Sequence, residues 1–521
     1  MTGTPPRRIT FLTPTPPDIS AFGVRALSAW LKRKGHKVTC IFLPGGIENL
    51  RHSGTYTYHY SDHVLKDILD IVAGSDIAAF SFFSQYRDRA LQLTQTIKDK
   101  LSIFTVWGGI HAEVSPKDGL AHADAVCISE GETVLEQLLE LTDTNNFHQA
   151  DIPGLLTRCN PNSSKPLPCM ENLDDLPWMD MGPDDHFLLD PIKDQIVPMT
   201  VDQMKKVLPL MPGPNHSAVK VFRLMTSRGC PHHCTYCANH IKAKLYPGSH
   251  YLRFRSPDHV IGEIKNVIGA YPFIEGIHFF DDVFTAMNPS DLKLLCHRMK
   301  TEVKLPWYAQ VSPSILTRNQ LEMFIDSGLV FIEMGIQTGS SRIREMYRRP
   351  ETNEIILRSA DLIYEYRDEL LKPHYHVILD NPWETRNDVR DTLDLLTRIP
   401  GKFMLCLASL TFYPGTELAN AAVKDGYLTD IEKQVYRKPF FVPKGRYLNY
   451  LIYITDITWI PRGLIRFLGD KPAVLLDTPF FGPFFDLCRR ITDKLRLIGK
   501  GINALTKGQW HRIRNYFQRI R

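Results

Sequence analysis

Long apolar runs, dense cysteine and strong net charge are all missing from this sequence. No window holds about twenty uninterrupted apolar residues, the length that a membrane-spanning helix needs. Ten cysteines in 521 residues are too sparse for a disulfide scaffold. The net charge of +5 is small for this length and does not indicate a nucleic-acid partner. No apolar leader with a cleavage site begins the chain, so we expect no signal peptide and a reducing, cytoplasmic compartment.

What the sequence does have is enough apolar residues for more than one core. A hydrophobic content of 43% and a charged content of 23% are ordinary for globular proteins. A chain of 521 residues exceeds the size of one domain. Shifts in composition and periodicity predict a first domain over 1–145, a linker over 146–220, a second domain over 221–430 and a C-terminal extension over 431–521.

The first domain alternates strand-like apolar runs with segments of helical periodicity. That alternation predicts an α/β fold with a doubly wound parallel sheet. Ligands of such sheets bind beyond the carboxyl ends of the strands, where this sequence carries the small or polar loops TPTPP, PGG, SFFSQ, GGIHA and SEGE. No G-x-G-x-x-G follows the first strand, so a dinucleotide site is not indicated.

The segment from 146 to 220 is rich in Pro, Asn and Asp and shows little periodicity, which predicts a linker that wraps the surface. From about residue 221 the alternation resumes and gives six β/α units before it fails near residue 430. Six units predict a partial (β/α)6 barrel, because a full barrel has eight. Its chemistry belongs at the C-terminal ends of its strands.

Three cysteines, Cys230, Cys234 and Cys237, lie within eight residues directly after the first barrel strand. Thiolates at this spacing can hold a metal ion or an iron–sulfur cluster. Zinc is the main chemical alternative, because nearby histidines could supply a fourth ligand. The candidate histidines are His232, His233 and His240.

Three features favour a cluster over zinc: the CxxxCxxC spacing, its place at the first strand of a β/α barrel, and the missing fourth cysteine. A four-iron cluster held by three cysteines leaves one iron free to bind something else. That is an open site, by the logic that separates catalytic from structural zinc.

The motif formed by Cys230, Cys234, Tyr236 and Cys237 resembles the signature of the radical S-adenosylmethionine (SAM) superfamily. The resemblance implies a [4Fe–4S] cluster whose free iron chelates the amino and carboxyl groups of SAM. One electron then cleaves the sulfonium to methionine and a 5′-deoxyadenosyl radical. The resemblance therefore also implies an electron donor such as flavodoxin or ferredoxin.

Other segments resemble further marks of this family. FFDDVFT implicates Asp281 and Asp282 in holding the amino group of SAM, and an ammonium group at a strand end favours a carboxylate in any case. In the fourth-strand motif, Gln337 stands where glutamate is usual and Thr338 where serine is usual. The amide keeps hydrogen bonding but removes a charge.

The last two strands resemble the family less evenly. In the fifth-strand motif Asp380 and Trp383 replace two glycines, which implies a reshaped adenine pocket. The segment FYPGTELA matches the sixth-strand Pro-Gly-Thr motif well and implicates Pro414 in SAM binding.

A doubly wound domain ahead of this barrel resembles the cobalamin-binding domain of cobalamin-dependent radical SAM enzymes. Small residues in its loops would let a corrin approach the backbone. The expected cobalamin contacts are Ser81, Ser84, Gly108, Gly109, His111, Glu130 and Gly131. Because no Asp-x-His-x-x-Gly motif is present, we expect His111 to be a loop histidine at the corrin edge and not a cobalt ligand.

The two resemblances together imply methylation of an unactivated carbon: a substrate radical receives a methyl group from methylcobalamin poised between the domains. Water would be excluded by aromatic residues, unless these are ordinary core. The candidates are Phe279, Phe280, Trp307 and Tyr308.

Three alternatives stay open. Oxidative cyclisation or rearrangement without methylation uses the same two cofactors. A methylthiotransferase needs a second set of three cysteines, whereas the N-terminal cysteines are scattered. They are Cys40, Cys127, Cys159 and Cys169. A non-enzymatic cobalamin carrier would not cleave SAM.

The C-terminal extension is aromatic and then basic. From Cys488 to the last residue, ten lysines and arginines accompany one acid, Asp493, and the apolar residues have helical spacing. A basic amphipathic helix of this kind either packs on the barrel with a solvated basic face or lies on anionic lipid. The sequence does not identify the substrate. The composition of this extension permits a lipid as well as a small molecule, and peripheral membrane contact is one expectation.

Overall fold

The computed structural model describes residues 6–14, 19–44, 59–141, 144–161, 166–190, 192–213, 217–246 and 251–506. The first sheet has eight strands. They are β1 (Arg8–Thr13), β2 (Lys37–Phe42), β3 (Ile77–Ser81), β4 (Phe104–Gly108), β5 (Ala125–Cys127), β6 (Leu155–Thr157), β7 (His186–Asp190) and β8 (Gln195–Pro198). The helices of this N-terminal domain, residues 6–198, are α1 (Phe22–Arg33), α2 (Asp62–Val72), α3 (Arg87–Lys100), α4 (Ile110–Val114), α5 (Pro116–His122) and α6 (Gly131–Leu139).

The strand order of the first sheet is β6-β5-β4-β3-β1-β2-β7-β8, and all neighbours are parallel except the edge strands β6 and β8. Successive residues of β1 face opposite sides. Phe11 packs in the core under α1 and α6, whereas Leu12 packs in the core under α2 and α3. The sheet is thus covered by helices on both faces, and the predicted doubly wound fold is confirmed.

The order in which strands are added to the sheet reverses at β1. Strand β2 lies on one side of β1, whereas β3, β4 and β5 follow on the other side. A crevice opens at such a reversal beyond the carboxyl ends of the strands, and ligands bind there. Residues 15–18 and 45–58, which hold most of the predicted TPTPP and PGG loops, lie outside the described residues.

The predicted linker over 146–220 is wrong as a description of this segment. Its strands β6, β7 and β8 extend both edges of the first sheet, and Leu210–Pro212, here β9, pairs with the barrel. These strands are only three to five residues long, too short for a period of two to show between prolines. Helix α7 (Val201–Val207) joins the two domains.

The barrel domain, residues 210–436, contains six parallel strands and one antiparallel edge strand, β9. The parallel strands are β10 (Ala218–Leu224), β13 (Gly276–Phe279), β14 (Trp307–Val311), β15 (Leu329–Gln337), β16 (His374–Leu379) and β17 (Met404–Ser409). A short ribbon, β11 (Ser227–Arg228) with β12 (Arg253–Phe254), follows the first of them. The order β17-β16-β15-β14-β13-β10-β9 confirms the predicted (β/α)6 arrangement.

Helices cover one face of the curled barrel sheet. They are α8 (Ala238–Leu245), α9 (Pro257–Ala270), α10 (Pro289–Arg298), α11 (Arg318–Asp326), α12 (Ser341–Met346), α13 (Asn353–Glu365), α14 (Arg386–Arg398) and α15 (Glu417–Lys424). Local signals fix their starts. Thr317 and Gln320 form a capping box at α11, and Thr385 and Asp388 form one at α14.

The C-terminal helices occupy residues 447–506. They are α16 (Tyr447–Ile454), α17 (Arg462–Gly469), α18 (Lys471–Leu476) and α19 (Gly482–Thr506). Helices α16 and α17 pack against α14, and α19 packs against α16. Within the described part of the chain, none of the helices combines the length and the apolar character needed to cross a membrane.

Candidate functional site

The three-cysteine loop leaves the C-terminal end of the first barrel strand, as the sequence predicts. It runs from β11 to α8, and Cys237 occupies the N-cap position of that helix. Gly229 begins the loop with a φ of +97°, and a Cβ there would lie 2.4 Å from the Tyr251 carbonyl oxygen. Only glycine fits this backbone, so the turn that presents Cys230 is fixed by sequence.

The donor set of the loop fits an iron–sulfur cluster. All three cysteines are free; Cys234 is buried, and Cys230 and Cys237 are half-buried. Burial raises the pKa of Cys230 to about 12 and that of Cys237 to about 11. Thiols in such surroundings ionise when a metal centre binds them. Soft thiolates are the ligands that iron–sulfur clusters use.

The histidines considered for zinc have other partners in two of three cases. His232 Nε2 lies 3.2 Å from Ser312 Oγ, and His240 Nε2 lies 2.7 Å from Glu417 Oε1. Among the described residues, no group of three or more Cys, His, Asp and Glu side chains is arranged around a single metal ion. His232 and His240 therefore stabilise the conformation of the loop through these contacts.

Arg349 and Glu351 form an ion pair that contacts the cysteine loop. Arg349 Nη1 lies 3.8 Å from Cys234 Sγ, and its Nε forms a 2.9 Å ion pair with Glu351. Ser312 Oγ donates to Glu351 at 2.9 Å and so links this pair to His232. The sequence reasoning missed this ion pair.

The two predicted acidic residues lie beside the loop with different exposures. Asp281 is fully buried, and its Oδ1 accepts from the Thr226 backbone N–H at 2.8 Å and from Ser227 Oγ. Burial raises the pKa of Asp281 to about 6. Asp281 Oδ2 and Thr226 Oγ1 are buried without a hydrogen-bond partner among the described residues. An ammonium group would supply the partner they lack, so the site fits SAM.

Asp282 is exposed to solvent, yet the protein around it raises the pKa of its carboxyl. Asp282 is open to solvent but has protein atoms on several sides, which is typical of a residue that lines a cavity. Asn239 and Lys242, on α8, counteract the shift, so Asp282 faces the helix that follows the cysteines.

The fourth and fifth strands both end in left-handed backbone. Gln337 has a φ of +67° and Asp380 a φ of +65°. Such conformations cost about 1–3 kcal/mol for residues other than glycine and cluster at functional sites. The positive φ at Asp380 explains why glycine suits this position in the family motif.

The described contacts of the other three predicted SAM-binding residues, Thr338, Tyr236 and Pro414, are with protein groups. Thr338 is buried, and its hydroxyl accepts from the Ser340 backbone N–H at 3.2 Å. Tyr236 packs on Tyr347 with ring centroids 4.9 Å apart, and Pro414 is half-buried at the end of the sixth strand. Their roles in SAM binding stay predictions.

Trp383 contacts residues that follow α15. Its indole Nε1 donates to Asp425 at 2.9 Å, and its ring packs 5.1 Å from that of Tyr427. Among the predicted aromatic lining residues, Phe279 and Trp307 lie in the core under the helices and not in the barrel interior. Strand alternation assigns those two to the opposite face from Tyr308 and Phe280.

His111 is fully buried, in helix α4 and not in a loop. Its Nδ1 lies 3.0 Å from Ser84 Oγ and its Nε2 lies 2.9 Å from Asp118 Oδ2. Both ring nitrogens are therefore occupied, which leaves no lone pair for cobalt. Ser84, also fully buried, serves this contact.

The remaining predicted cobalamin residues lie at the ligand edge of the first sheet. Ser81 and Gly108 end neighbouring strands in register. Gly109 has a φ of +78°, and a Cβ there would lie 2.8 Å from Ser81 Oγ, so this glycine is needed for packing inside the edge. Gly131 begins α6 and packs against Leu27 of α1. Their contacts with cobalamin stay predictions.

Glu130 ties the N-terminal domain to the cysteine loop. Its Oε1 forms ion pairs with Arg253 at 2.6 Å and with Arg228 at 3.3 Å, and Arg228 also pairs with Glu132 at 2.5 Å. Burial alone would raise the pKa of Glu130, but the two arginines outweigh it and lower the pKa to about 2. The sequence reasoning assigned Glu130 to cobalamin and missed this ion pair.

Other loops of the two domains meet around the same edge. Gln85 donates to the Tyr413 hydroxyl, and a Cβ on Gly415 would lie 3.0 Å from the Val114 carbonyl oxygen. Lys242 forms a 3.5 Å ion pair with Glu113. The carboxyl-end loops of both parallel sheets therefore face each other.

The seam between the domains holds a polar atom that lacks a partner. Tyr246 is 5% exposed, and its hydroxyl has no hydrogen-bond partner among the described residues. Its ring stacks on that of Tyr251, whose pKa is raised by burial and by Glu113 and Asp282 from opposite domains. A polar ligand between the domains would satisfy the Tyr246 hydroxyl, as a corrin edge with its amide side chains would.

A polar layer that sequence reasoning missed lies on the concave face of the barrel. Arg223 Nε donates to His278 Nδ1 at 3.3 Å, and Glu333 lies 3.4 Å from His376 Nε2. His278 is 1% exposed, and burial lowers its pKa to about 3. Alternation of apolar and polar residues in β13 and β15 was the available signal. Such a layer can orient a polar group of a substrate.

The N-terminal cysteines do not form a second set. Cys40 lies in β2 and Cys127 ends β5, with three strands between them. At about 4.8 Å per strand they are roughly 19 Å apart, too far to share a cluster. Cys159 is exposed, whereas Cys169 is buried.

Family models match both domains. A model described as Radical SAM superfamily matches residues 224–396, and one described as B12 binding domain matches residues 10–139. These matches confirm the predicted cofactors at the level of the domains: a [4Fe–4S] cluster with SAM, and cobalamin.

Curated relatives align over most of the chain. An uncharacterized methyltransferase of Pyrococcus horikoshii is 23% identical over 346 residues, 64% of this chain and 66% of the relative, just under two thirds of its length. The cytidylyl-2-hydroxyethylphosphonate methyltransferase of Streptomyces wedmorensis is 24% identical over 423 residues, 74% of this chain and 73% of the relative.

Solved structures share the fold. The radical SAM methyltransferase TsrM from Kitasatospora setae, with tryptophan and a SAM analogue bound, matches with a TM-score of 0.59, 14% identity and coverage of 81% of this chain and 77% of that one. The cobalamin-dependent SAM radical enzyme OxsB, with aqua-cobalamin and SAM bound, matches with a TM-score of 0.62, 14% identity and coverage of 99% and 84%. The two model matches show that a B12-binding domain and, after it, a radical SAM domain are both present in the chain.

Proposed function

We propose that this chain methylates a carbon atom of an organic substrate by cobalamin-dependent radical SAM chemistry. The observation that carries the proposal is the meeting of the two ligand edges, where Glu130 and Glu132 hold Arg228, two residues before Cys230. This supports one reaction centre that both cofactors share. The names of the curated relatives, both methyltransferases, support methyl transfer as its outcome.

Each cofactor has residues that would hold it. Cys230, Cys234 and Cys237 would bind the cluster, and Asp281 would accept the ammonium group of SAM. When bound, the reduced cluster and SAM supply a hydrogen-abstracting radical, and cobalamin supplies the methyl group.

The residues of the chain exclude water and orient the substrate. Tyr308 donates to the Pro212 carbonyl oxygen at 2.8 Å, and its ring packs with Val221 and Phe331 in a buried plug. This plug lies on three of the barrel strands, and a buried apolar lining protects a radical from solvent hydrogen. Above it, Arg223 and Glu333 offer opposite charges to a polar group of the substrate.

The test uses the full chain reconstituted without oxygen with iron, sulfide and cobalamin. We would incubate it with reductant, SAM deuterated in its methyl group and fractionated metabolites or lipids, and follow the mixture by mass spectrometry. The expected result is a compound that gains one deuterated methyl group, absent with the Cys234→Ala variant. A rearranged or cyclised product without that label would contradict methylation. Failure to cleave SAM at all would instead favour a cobalamin carrier.

A further inference from the structure

Helix α19 is packed against the protein on one side only. The Phe485 ring lies 5.2 Å from that of Tyr447, and Thr492 Oγ1 lies 3.1 Å from the Tyr450 hydroxyl. Arg496 forms a 2.7 Å ion pair with Asp456. The spacing of 485, 492 and 496 places these contacts on one line along the helix. That line fixes α19 against α16.

A second line of α19 is apolar and exposed over nearly the whole helix. Its members recur every three or four residues, and each is between 47% and 61% exposed. They are Phe484, Leu487, Ile491, Leu495, Ile498 and Ile502. At about 100° per residue this stripe lies roughly 120° around the helix from the packed line. No described residue covers it.

More large apolar residues are exposed elsewhere on the C-terminal helices and their connections. Trp459 is 80%, Phe467 62%, Leu475 75% and Phe480 85% exposed. Monomeric soluble proteins rarely leave so many large apolar side chains uncovered in one region. An uncovered surface of this kind marks a docking site.

Charge is distributed around the stripe in a definite way. At about 100° per residue, Asp486 and Asp493 lie on the side of α19 away from the stripe, whereas Arg490 and Lys494 border it. Both cations are exposed. Residues 507–521, outside the described part, add five cations and no acid in sequence. Arg490 and Lys494 thus place positive charge along one border of the stripe.

We propose that the C-terminal helices dock on the surface of an anionic lipid bilayer, with α19 in the plane of the interface and its stripe inserted. An amphipathic helix with cations at the border of its apolar face has the properties of an interfacial helix. Its cations pair with anionic headgroups. A second copy of the chain fits less well, because apposed stripes would bring Arg490 and Lys494 of both copies together. The surface is independent of the proposed reaction, and so is its test.

The test is sedimentation of the full chain, loaded with iron and cobalamin, with sucrose-filled vesicles of phosphatidylcholine with or without phosphatidylglycerol. The stripe variant combines Leu487→Gln, Ile491→Gln and Ile498→Gln. The control combines the same change at exposed apolar residues elsewhere, Ile192, Val201 and Val423. We expect the stripe variant to lose about tenfold or more in vesicle affinity and the control to match the wild type.

Charge is tested by Arg490→Glu with Lys494→Glu. Its binding should fall on anionic vesicles and not on neutral ones, and salt should weaken wild-type binding. Equal iron and cobalamin content in all variants would show that they are folded. Binding of the stripe variant at wild-type affinity would overturn the proposal. The proposal would also be overturned if the wild-type chain did not bind anionic vesicles. It would likewise be overturned if the wild-type chain were a dimer and the stripe variant a monomer.

Discussion

The Glu130 carboxylate lies 2.6 Å from the Arg253 guanidinium, and this ion pair joins the B12-binding domain to the radical SAM domain. Both side chains are largely buried, and Arg253 also donates to the Met170 carbonyl oxygen. A pair this enclosed is screened little by water, so its loss leaves a charge unpaired in the seam between the domains. Glu130 is therefore one of the residues that hold the two domains together.

Replacing Glu130 by glutamine tests this dependence with little change in shape. The variant should lose about 2–3 kcal/mol in free energy of unfolding, because Arg253 and Arg228 lose their carboxylate partner. Chemical denaturation measures the loss. Glu140→Gln, at the exposed end of the same helix, is the matched control and should be near neutral. Equal stability of the two variants would contradict a role for Glu130 in the seam.

The same pair predicts a dependence of stability on pH. The pKa of Glu130 is lowered from 4.5 to about 2 in the folded chain, so its stabilisation is complete above about pH 4.5. It is lost as the pH falls from about 4.5 towards 2. Glu130→Gln should therefore flatten the acid limb of a plot of unfolding free energy against pH. An acid limb unchanged in the variant would speak against the lowered pKa.

The backbone conformation at position 229 requires glycine, and this requirement can be tested by substitution. Gly229→Ala places a Cβ against the Tyr251 carbonyl in a left-handed backbone, so the turn must shift and Cys230 with it. We expect the variant to retain less than half of the wild-type iron while cobalamin binding persists. Gly269→Ala, in α9 with open space around its Cβ, is the control and should keep full iron content. Elemental analysis measures both.

The cluster itself is tested by single alanine replacements of Cys230, Cys234 and Cys237. Each should lower iron from about four atoms per chain towards zero and remove the visible absorption of the cluster. The exposed Cys159 is the control, and Cys159→Ala should leave the spectrum unchanged. Stoichiometric zinc without iron in wild-type protein purified anaerobically would contradict the cluster.

The contacts of His111 allow a prediction for the electron paramagnetic resonance spectrum of bound cobalamin. Because Ser84 and Asp118 occupy both ring nitrogens, reduced cobalamin on the wild-type chain should show no nitrogen coupling from His111 in its electron paramagnetic resonance spectrum. His111→Asn should destabilise the N-terminal domain by about 1–3 kcal/mol and leave the cobalt signal unchanged. A signal that changes on this substitution would show that His111 reaches cobalt.

The sequence predicts the parts of this molecule that depend on neighbours in the chain. The cysteine loop is compact, and the six strands of the barrel each show their own apolar pattern. Glu130 is different, because its partner Arg253 is 123 residues away and no local pattern connects the two. Strand β7 lacks a local signal for the same reason, since its parallel partner is the distant β2, and β8 then pairs with β7 as a short hairpin.

His111 shows a second limit of sequence reasoning. A histidine after a Gly-Gly turn at a ligand edge is a reasonable contact for a cofactor, yet burial against Phe82 and Asp118 decides its role. For the concave polar layer, alternation along the strands was a signal, but a histidine such as His278 can equally be a core residue, so alternation alone does not identify the layer. In both cases three-dimensional packing carries the missing information.

Asp380 gives the C-terminal helices a direct hold on the reaction centre. Its carboxylate accepts from Ser409 at 2.6 Å, from the Lys444 backbone N–H at 2.8 Å and from Asn449 at 2.8 Å. It therefore clamps the ends of β16 and β17 to the first turn of α16. A tilt of these helices would therefore reach the ends of two barrel strands through a single residue in left-handed backbone.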